Sequence, residues 1–198
     1  MMRLLGLLLA GGQSTRMKTD KAALSYGARP QLAEAFELLS RHVDRAWISV
    51  RADQVSEKLR AGFPQIVDGR LGKGPIAGII AAQARYPDAA WLVVACDLPR
   101  LDGATLVDLK SRRDPRRLAT AFLGAVDGLP EPLCAIYEPA SREAILAQVA
   151  AGRDCPRKFL MNHDAALLKL AHAPALDNVN TPQDQEAARA ALASSGAA

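Results

Sequence analysis

The 198-residue chain is 49% hydrophobic and 23% charged with a formal net charge of +4, the composition of an ordinary globular protein long enough for a sizeable core. The mild positive charge admits an anionic substrate without demanding nucleic acid; Arg112-Arg113 and Arg116-Arg117 lack interleaved aromatics and read as solvated helix ends. Three widely spaced cysteines (Cys96, Cys134, Cys155) with no C-x-x-C, and three histidines (His42, His163, His172) in no ligand-like pair, argue against a disulfide framework or zinc site and suit a reducing cytosol.

In chain order, the apolar run Arg3 to Leu9 stops at two glycines and reads as a buried strand. Met1-Met2-Arg3 and the run to Ala10 imitate a short secretory signal, but cleavage there would remove the loop that makes chemical sense, so a first strand and a cytoplasmic location are expected. A polar loop follows, then a short turn near Ala22, a helix from Pro30 to about Arg41, a strand from Ala46 to Val50, a helix from Asp53 to Ala61 and a strand from Gln65 to Asp68. A second glycine-rich loop, Gly69 to Pro75, opens a helix to about Ala84. Ala90 to Cys96 is continuous and apolar, as a central parallel strand should be, and ends on Asp97-Leu98-Pro99.

Ala104 to Arg112 reads as a helix, and Leu118 to Leu123 and Leu133 to Tyr137 as strands joined by the turn Asp127-Gly128-Leu129-Pro130. Pro139 to Ala151 and Asp154 to Met161 follow as helices, and Leu167 to Leu170 and Leu176 to Val179 as short strands. Thr181 caps a last helix opened by Pro182, and residues 193–198 form a frayed tail. No apolar run approaches the roughly 18 residues of a membrane span. The expectation is one domain over 1–198: a three-layer α/β/α sandwich with a mostly parallel, Rossmann-like central sheet.

Ligands in such sheets sit beyond the carboxyl ends of strands, so the loops after Leu9, Val67 and Cys96 are expected to converge on one site. In the first, glycines let backbone amides approach a ligand, and Arg16 and Lys21 suit a polyphosphate. It is neither G-x-x-x-x-G-K-[ST] nor G-x-G-x-x-G, and a tight turn with two surface cations is the plainer alternative. In the second, Asp68 precedes a glycine loop and the positive end of a helix. In the third, Asp97 is placed to hold Mg²⁺, and Cys96 reads as a small buried hydrophobe.

The run Leu9-Ala10-Gly11-Gly12-x-Ser14-x-Arg16-Met17-x-x-Asp20-Lys21 resembles the signature of the molybdenum cofactor guanylyltransferases, within the nucleotidyltransferase superfamily. The resemblance continues through Gly74-Pro75-x-Ala77-Gly78, Cys96-Asp97-x-Pro99 and Asn178-Val179-Asn180-Thr181-Pro182-x-Asp184, in order along nearly the whole chain. It implies a fold of nucleotide-diphospho-sugar transferase type and transfer of GMP from GTP to the terminal phosphate of molybdopterin, with release of pyrophosphate. Leu9, Ala10, Gly11, Gly12 and Ser14 would line the nucleotide, with Asp68 near guanine and ribose; Arg16 and Lys21 would hold the triphosphate, and Asp97 the Mg²⁺. Gly74 would touch the base or phosphates, and Asn178 and Asn180 would face the pterin.

The implied partners are GTP, molybdopterin with or without molybdenum, and the cofactor-delivery chaperones and molybdoenzymes downstream; neither nucleic acid nor membrane is expected. Two positions depart from the family. Lys18 stands where glycine is common and could add a phosphate contact, and Arg51 stands where asparagine is expected, close to the base. A cytidylyltransferase acting on the same pterin is the nearest rival, and relatives of that kind tend to carry alanine at Gly11. A sugar-phosphate nucleotidyltransferase is a third reading, against which Asn178 to Asp184 speaks; a binding protein of the same fold that has lost catalysis is disfavoured by Arg16, Lys21 and Asp97.

Overall fold

A computed structural model describes residues 3–11, 20–125, 127–171, 173–179 and 181–195. Seven strands form one sheet: β1 (Leu4–Leu9), β2 (Arg45–Val50), β3 (Gln65–Val67), β4 (Ala90–Ala95), β5 (Ala119–Leu123), β6 (Pro130–Tyr137) and β7 (Ala165–Lys169), in the order β3-β2-β1-β4-β6-β5-β7. β1 lies parallel to both β2 and β4, β2 to β3, and β5 to β7; β6 runs antiparallel to both its neighbours. The sheet is therefore mostly parallel, as expected.

Strand residues alternate between the two faces, and both faces are covered, which is why the central strands read as unbroken apolar runs. Leu8, Ile48, Leu92 and Val94 point to one side, against Leu32 and Leu39 of α1 (Gln31–Ser40) and Leu106 and Leu109 of α3 (Gly103–Ser111). Leu5, Leu7, Trp47, Trp91 and Val93 point to the other. There they meet Ile76 and Ile79 of α2 (Pro75–Arg85), Ile145 of α4 (Ser141–Ala150), and Phe159 and Leu160 of α5 (Pro156–Asn162). This is the three-layer sandwich. Each such leucine or isoleucine, fully buried, stabilises the fold by about 1.5–3 kcal/mol relative to exposure. Trp47, Tyr86 and Trp91 pack at centroid separations of 5.1, 5.7 and 6.1 Å by the carboxyl end of α2.

Two expected elements differ. Asp53 to Ala61 is not an α-helix but a 3-10 turn, Ala52–Gln54, followed by further turns. Its amides bond three residues back (Glu57 to Gln54, Arg60 to Glu57), while Gln65 Nε2 takes the carbonyls of Val55 and Arg60 at 3.1 and 2.9 Å. The Arg60 carbonyl also accepts the Phe63 amide three residues on, and Pro64, four residues on, has no N–H to give an α-helical bond. Leu176 to Val179 is not a strand: a 3-10 turn, Ala173–Leu176, leads into irregular chain whose Val179 amide donates to the Asp97 carbonyl at 3.1 Å. The last helix, α6 (Pro182–Ser195), starts on a reciprocal cap, with the Asp184 amide to Thr181 Oγ1 at 3.1 Å and the Thr181 amide to Asp184 Oδ2 at 2.9 Å. It continues to Ser195, inside the stretch expected to fray. No helix among the described residues is long and apolar enough to cross a membrane.

Candidate active site

A cleft of about 530 Å³ opens at the carboxyl ends of β1 to β4, where the chain leaves β1 for one side of the sheet and returns on the other. This is the switch point at which open α/β sheets bind ligands. Its walls are the three loops singled out by sequence: Leu9, Ala10 and Gly11 after β1, Asp68 to Gly74 after β3, and Cys96 and Asp97 after β4. Ser49, Arg51 and Ala52 from the end of β2 complete it, with Pro75 and Ala77 of α2 and Leu133 of β6.

The loop before α2 depends on glycine. Gly72 and Gly74 hold φ of 76° and 65°, the left-handed region that side chains resist. Gly74 is the N-cap and makes no side-chain capping bond, so the amino end of α2 presents its positive dipole end to the cleft without an acceptor from its own cap.

The carboxylate of Asp68 accepts a hydrogen bond from Ser49 Oγ. Burial raises its pKa above the ordinary 3.8, against the lowering effects of Ser49 and of the nearby Arg51 charge. Ser49 fits because the neighbour on α2 is Gly78, where a Cβ would stand 2.3 Å from Ser49 Oγ and 3.0 Å from Leu9 Cδ2.

Arg51 donates through Nη1 to the Gly11 carbonyl and forms a fork with Asp53 at 3.0 and 2.8 Å. Its own amide is taken by Gln54 Oε1 at 3.2 Å. Behind it lies Arg60, 1% exposed. Nε and Nη2 of Arg60 donate to the Ala10 carbonyl at 3.1 and 2.8 Å, Nη1 and Nη2 to the Asp20 carboxylate at 2.6 and 2.9 Å, and Nη1 also to Glu57.

Of the residues expected in the site, Leu9, Ala10, Gly11, Asp68, Gly74, Arg51 and Asp97 line this cleft together. Lys21 opens a 3-10 turn, Lys21–Ala23, whose Ala22 also lines it. Gly12, Ser14, Arg16, Lys18 and Asn180 lie outside the described residues. Asn178 lines a smaller cavity of about 50 Å³ that shares Leu133 with the cleft, and the segment carrying it is tied to Asp97 through Val179.

Sequence reasoning missed Ser49, Gln54 and Arg60. Ser49 had a readable signal, a hydroxyl near the carboxyl end of an otherwise apolar strand. Arg60 had none, since Glu57 and Arg60 at i,i+3 look like a surface pair on a helix. Among the described residues, no group of three or more histidine, cysteine, aspartate or glutamate side chains could hold a metal ion by itself. Among the described residues, Asp68 and Asp97 are the carboxylate residues on the cleft wall.

The fold is α/β with a cleft at the switch point of its sheet, and the comparisons give the class, a nucleotidyltransferase. Residues 6–167 match the MobA-like NTP transferase domain, and the chain belongs to that family. It is 33% identical over 197 residues to a molybdenum cofactor guanylyltransferase of Cereibacter sphaeroides, covering 96% of this chain and 98% of that one. A molybdenum cofactor biosynthesis bifunctional protein of Synechocystis is 32% identical over 181 residues, 91% of this chain but only 52% of the longer relative. The crystal structure of molybdopterin-guanine dinucleotide biosynthesis protein A from Archaeoglobus fulgidus superposes with a TM-score of 0.81 at 22% identity, covering 96% and 99% of the two chains.

Proposed function

We propose that this chain transfers GMP from GTP to the terminal phosphate of molybdopterin, releasing pyrophosphate. The observation that carries the reading is the convergence of the Gly11, Asp68–Gly74 and Asp97 loops on one nucleotide-sized cleft at the switch point of the sheet. The guanylyltransferase relative matched end to end favours guanine over cytosine.

In this reading an oxygen of the acceptor phosphate attacks the α-phosphorus of GTP, a new P–O bond forms, and the α–β bridging oxygen leaves on pyrophosphate. The attacking oxygen is already anionic and needs no strong base, so the protein's task is to position two anions and neutralise them. The Gly11 backbone and the amino end of α2 receive the nucleotide, and Asp68, held by Ser49, meets its polar edge. Arg16 and Lys21 neutralise the leaving pyrophosphate. Lys18 adds a further phosphate contact in this reading, and Asn178 and Asn180 face the acceptor.

Asp97 would hold Mg²⁺. The two carboxylate residues on the cleft wall, Asp68 and Asp97, fit a hard, oxygen-preferring cation. Held by Asp97, the ion would supply positive charge to offset that on the phosphates as the α-phosphorus reacts. A transfer assay comparing four nucleoside triphosphates, with Mg²⁺ and with or without molybdopterin, tests the reading. GTP should outpace CTP by more than about tenfold, a difference of about 1.4 kcal/mol. Equal use of the two would sink the guanine assignment, and turnover that ignored molybdopterin would sink the acceptor.

A further inference from the structure

Two arginines hold two consecutive main-chain carbonyls where β1 enters the glycine loop, Arg60 that of Ala10 and Arg51 that of Gly11. Arg51 lines the cleft, with a side chain 32% exposed. Arg60 is 1% exposed and its charge is already met by Asp20 and Glu57, so it has no free donor face to offer a phosphate.

Its bonds have a geometric consequence. The Ala10–Gly11 peptide is trans, so the Gly11 N–H points opposite to the Ala10 carbonyl. Arg60 draws that carbonyl into the interior, which turns the Gly11 amide away from it. The same guanidinium reaches across ten residues of sequence to Asp20, and Asp20 Oδ1 in turn accepts the Ala22 amide at 3.1 Å and caps the turn begun by Lys21.

We propose that Arg60 is a positioning residue for nucleotide binding: one buried guanidinium ties the end of β1 to the head of the Lys21 turn and so presets the Gly11 amide and the Lys21 backbone for a triphosphate. The proposal rests on the nucleotide reading given above. Arg60 touches neither substrate nor metal. It acts through the two ends of the segment, and a planar fork is suited to this because it can meet a carbonyl and a carboxylate at once.

Calorimetric titration of the full chain with GTP and Mg²⁺, alongside steady-state kinetics, tests it. Arg60→Ala and Arg60→Lys should both raise the Kd and KM for GTP by at least about tenfold, with kcat at saturating GTP kept within about threefold, because the clamp sets groups that bind the nucleotide and touches no reacting atom. Asp20→Ala should act in the same direction, and the double variant Arg60→Ala/Asp20→Ala should be little worse than Arg60→Ala alone, since both break one clamp. Far-ultraviolet circular dichroism identifies folded variants; if Arg60→Ala does not fold, Asp20→Ala, which leaves Arg60 its carbonyl and Glu57, decides alone. A folded Arg60→Ala or Asp20→Ala that binds GTP within about twofold of the parent overturns the clamp. A parent that binds no GTP overturns the nucleotide reading, and the clamp's role with it.

Discussion

Asp97 and Asp68 both line the cleft. The Asp97 main-chain carbonyl accepts the Val179 amide, and the Asp68 carboxylate accepts from Ser49 Oγ. Asp97→Asn keeps the shape and removes the charge, so turnover should fall on the order of 10²-fold while the thermal midpoint barely moves; near-parental rates would remove Asp97 from the chemistry. Asp68 makes a prediction about pH. Its pKa is raised in the folded state, first by burial, so the native state binds its proton more tightly than the unfolded chain does. The protonated form therefore favours folding, and that contribution is lost as pH rises through the raised value. Asp68→Asn, still able to accept from Ser49, should gain thermal midpoint relative to the parent as pH climbs from 3.8 towards neutrality; a difference that does not change with pH would refute this.

At the scale of elements, α2 shows what sequence could and could not disclose. Pro75 and the glycines before it marked its start, because a helix opening after positive-φ backbone leaves that chemical trace. The role of Gly78 was not legible: that α2 lies directly on Ser49 depends on packing between segments about thirty residues apart. Gly78→Ala puts a Cβ 2.3 Å from Ser49 Oγ, which must move Ser49 off Asp68 or lift the helix. We expect a loss of about 1–3 kcal/mol in denaturant unfolding, together with weaker nucleotide binding; an unchanged unfolding midpoint would show that the contact relaxes freely. The turns from Ala52 onward were misread for the converse reason. Their residues suit a helix, but Gln65 and the inward Arg60 take over the backbone and side-chain bonds.

For the molecule as a whole, alternating strands and helices exposed the layers, and the carboxyl-end rule exposed the cleft before any coordinates. The turn Asp127-Gly128-Leu129-Pro130 marked the connection between β5 and β6, but not their antiparallel pairing. That β6 rather than β5 would lie beside β4 was not legible, since either order satisfies the same apolar pattern. The aromatic group at the far end of α2 has a practical side. The chain has two tryptophans, and both are buried there with Tyr86. Trp91 stands four residues along β4 from the cleft-lining Ala95 and Trp47 two residues along β2 from Ser49, about 13 and 7 Å at 3.3 Å per residue, and both indoles are shut off from solvent. Indole emission, excited at the red edge to avoid guanine absorption, should therefore keep its wavelength through a GTP titration and shift to the red only when guanidinium chloride unfolds the chain. Emission that moved with GTP would mean the two ends of the sheet are coupled. If it stays still, the integrity of the polypeptide and the filling of its cleft become two independent readings from one cuvette.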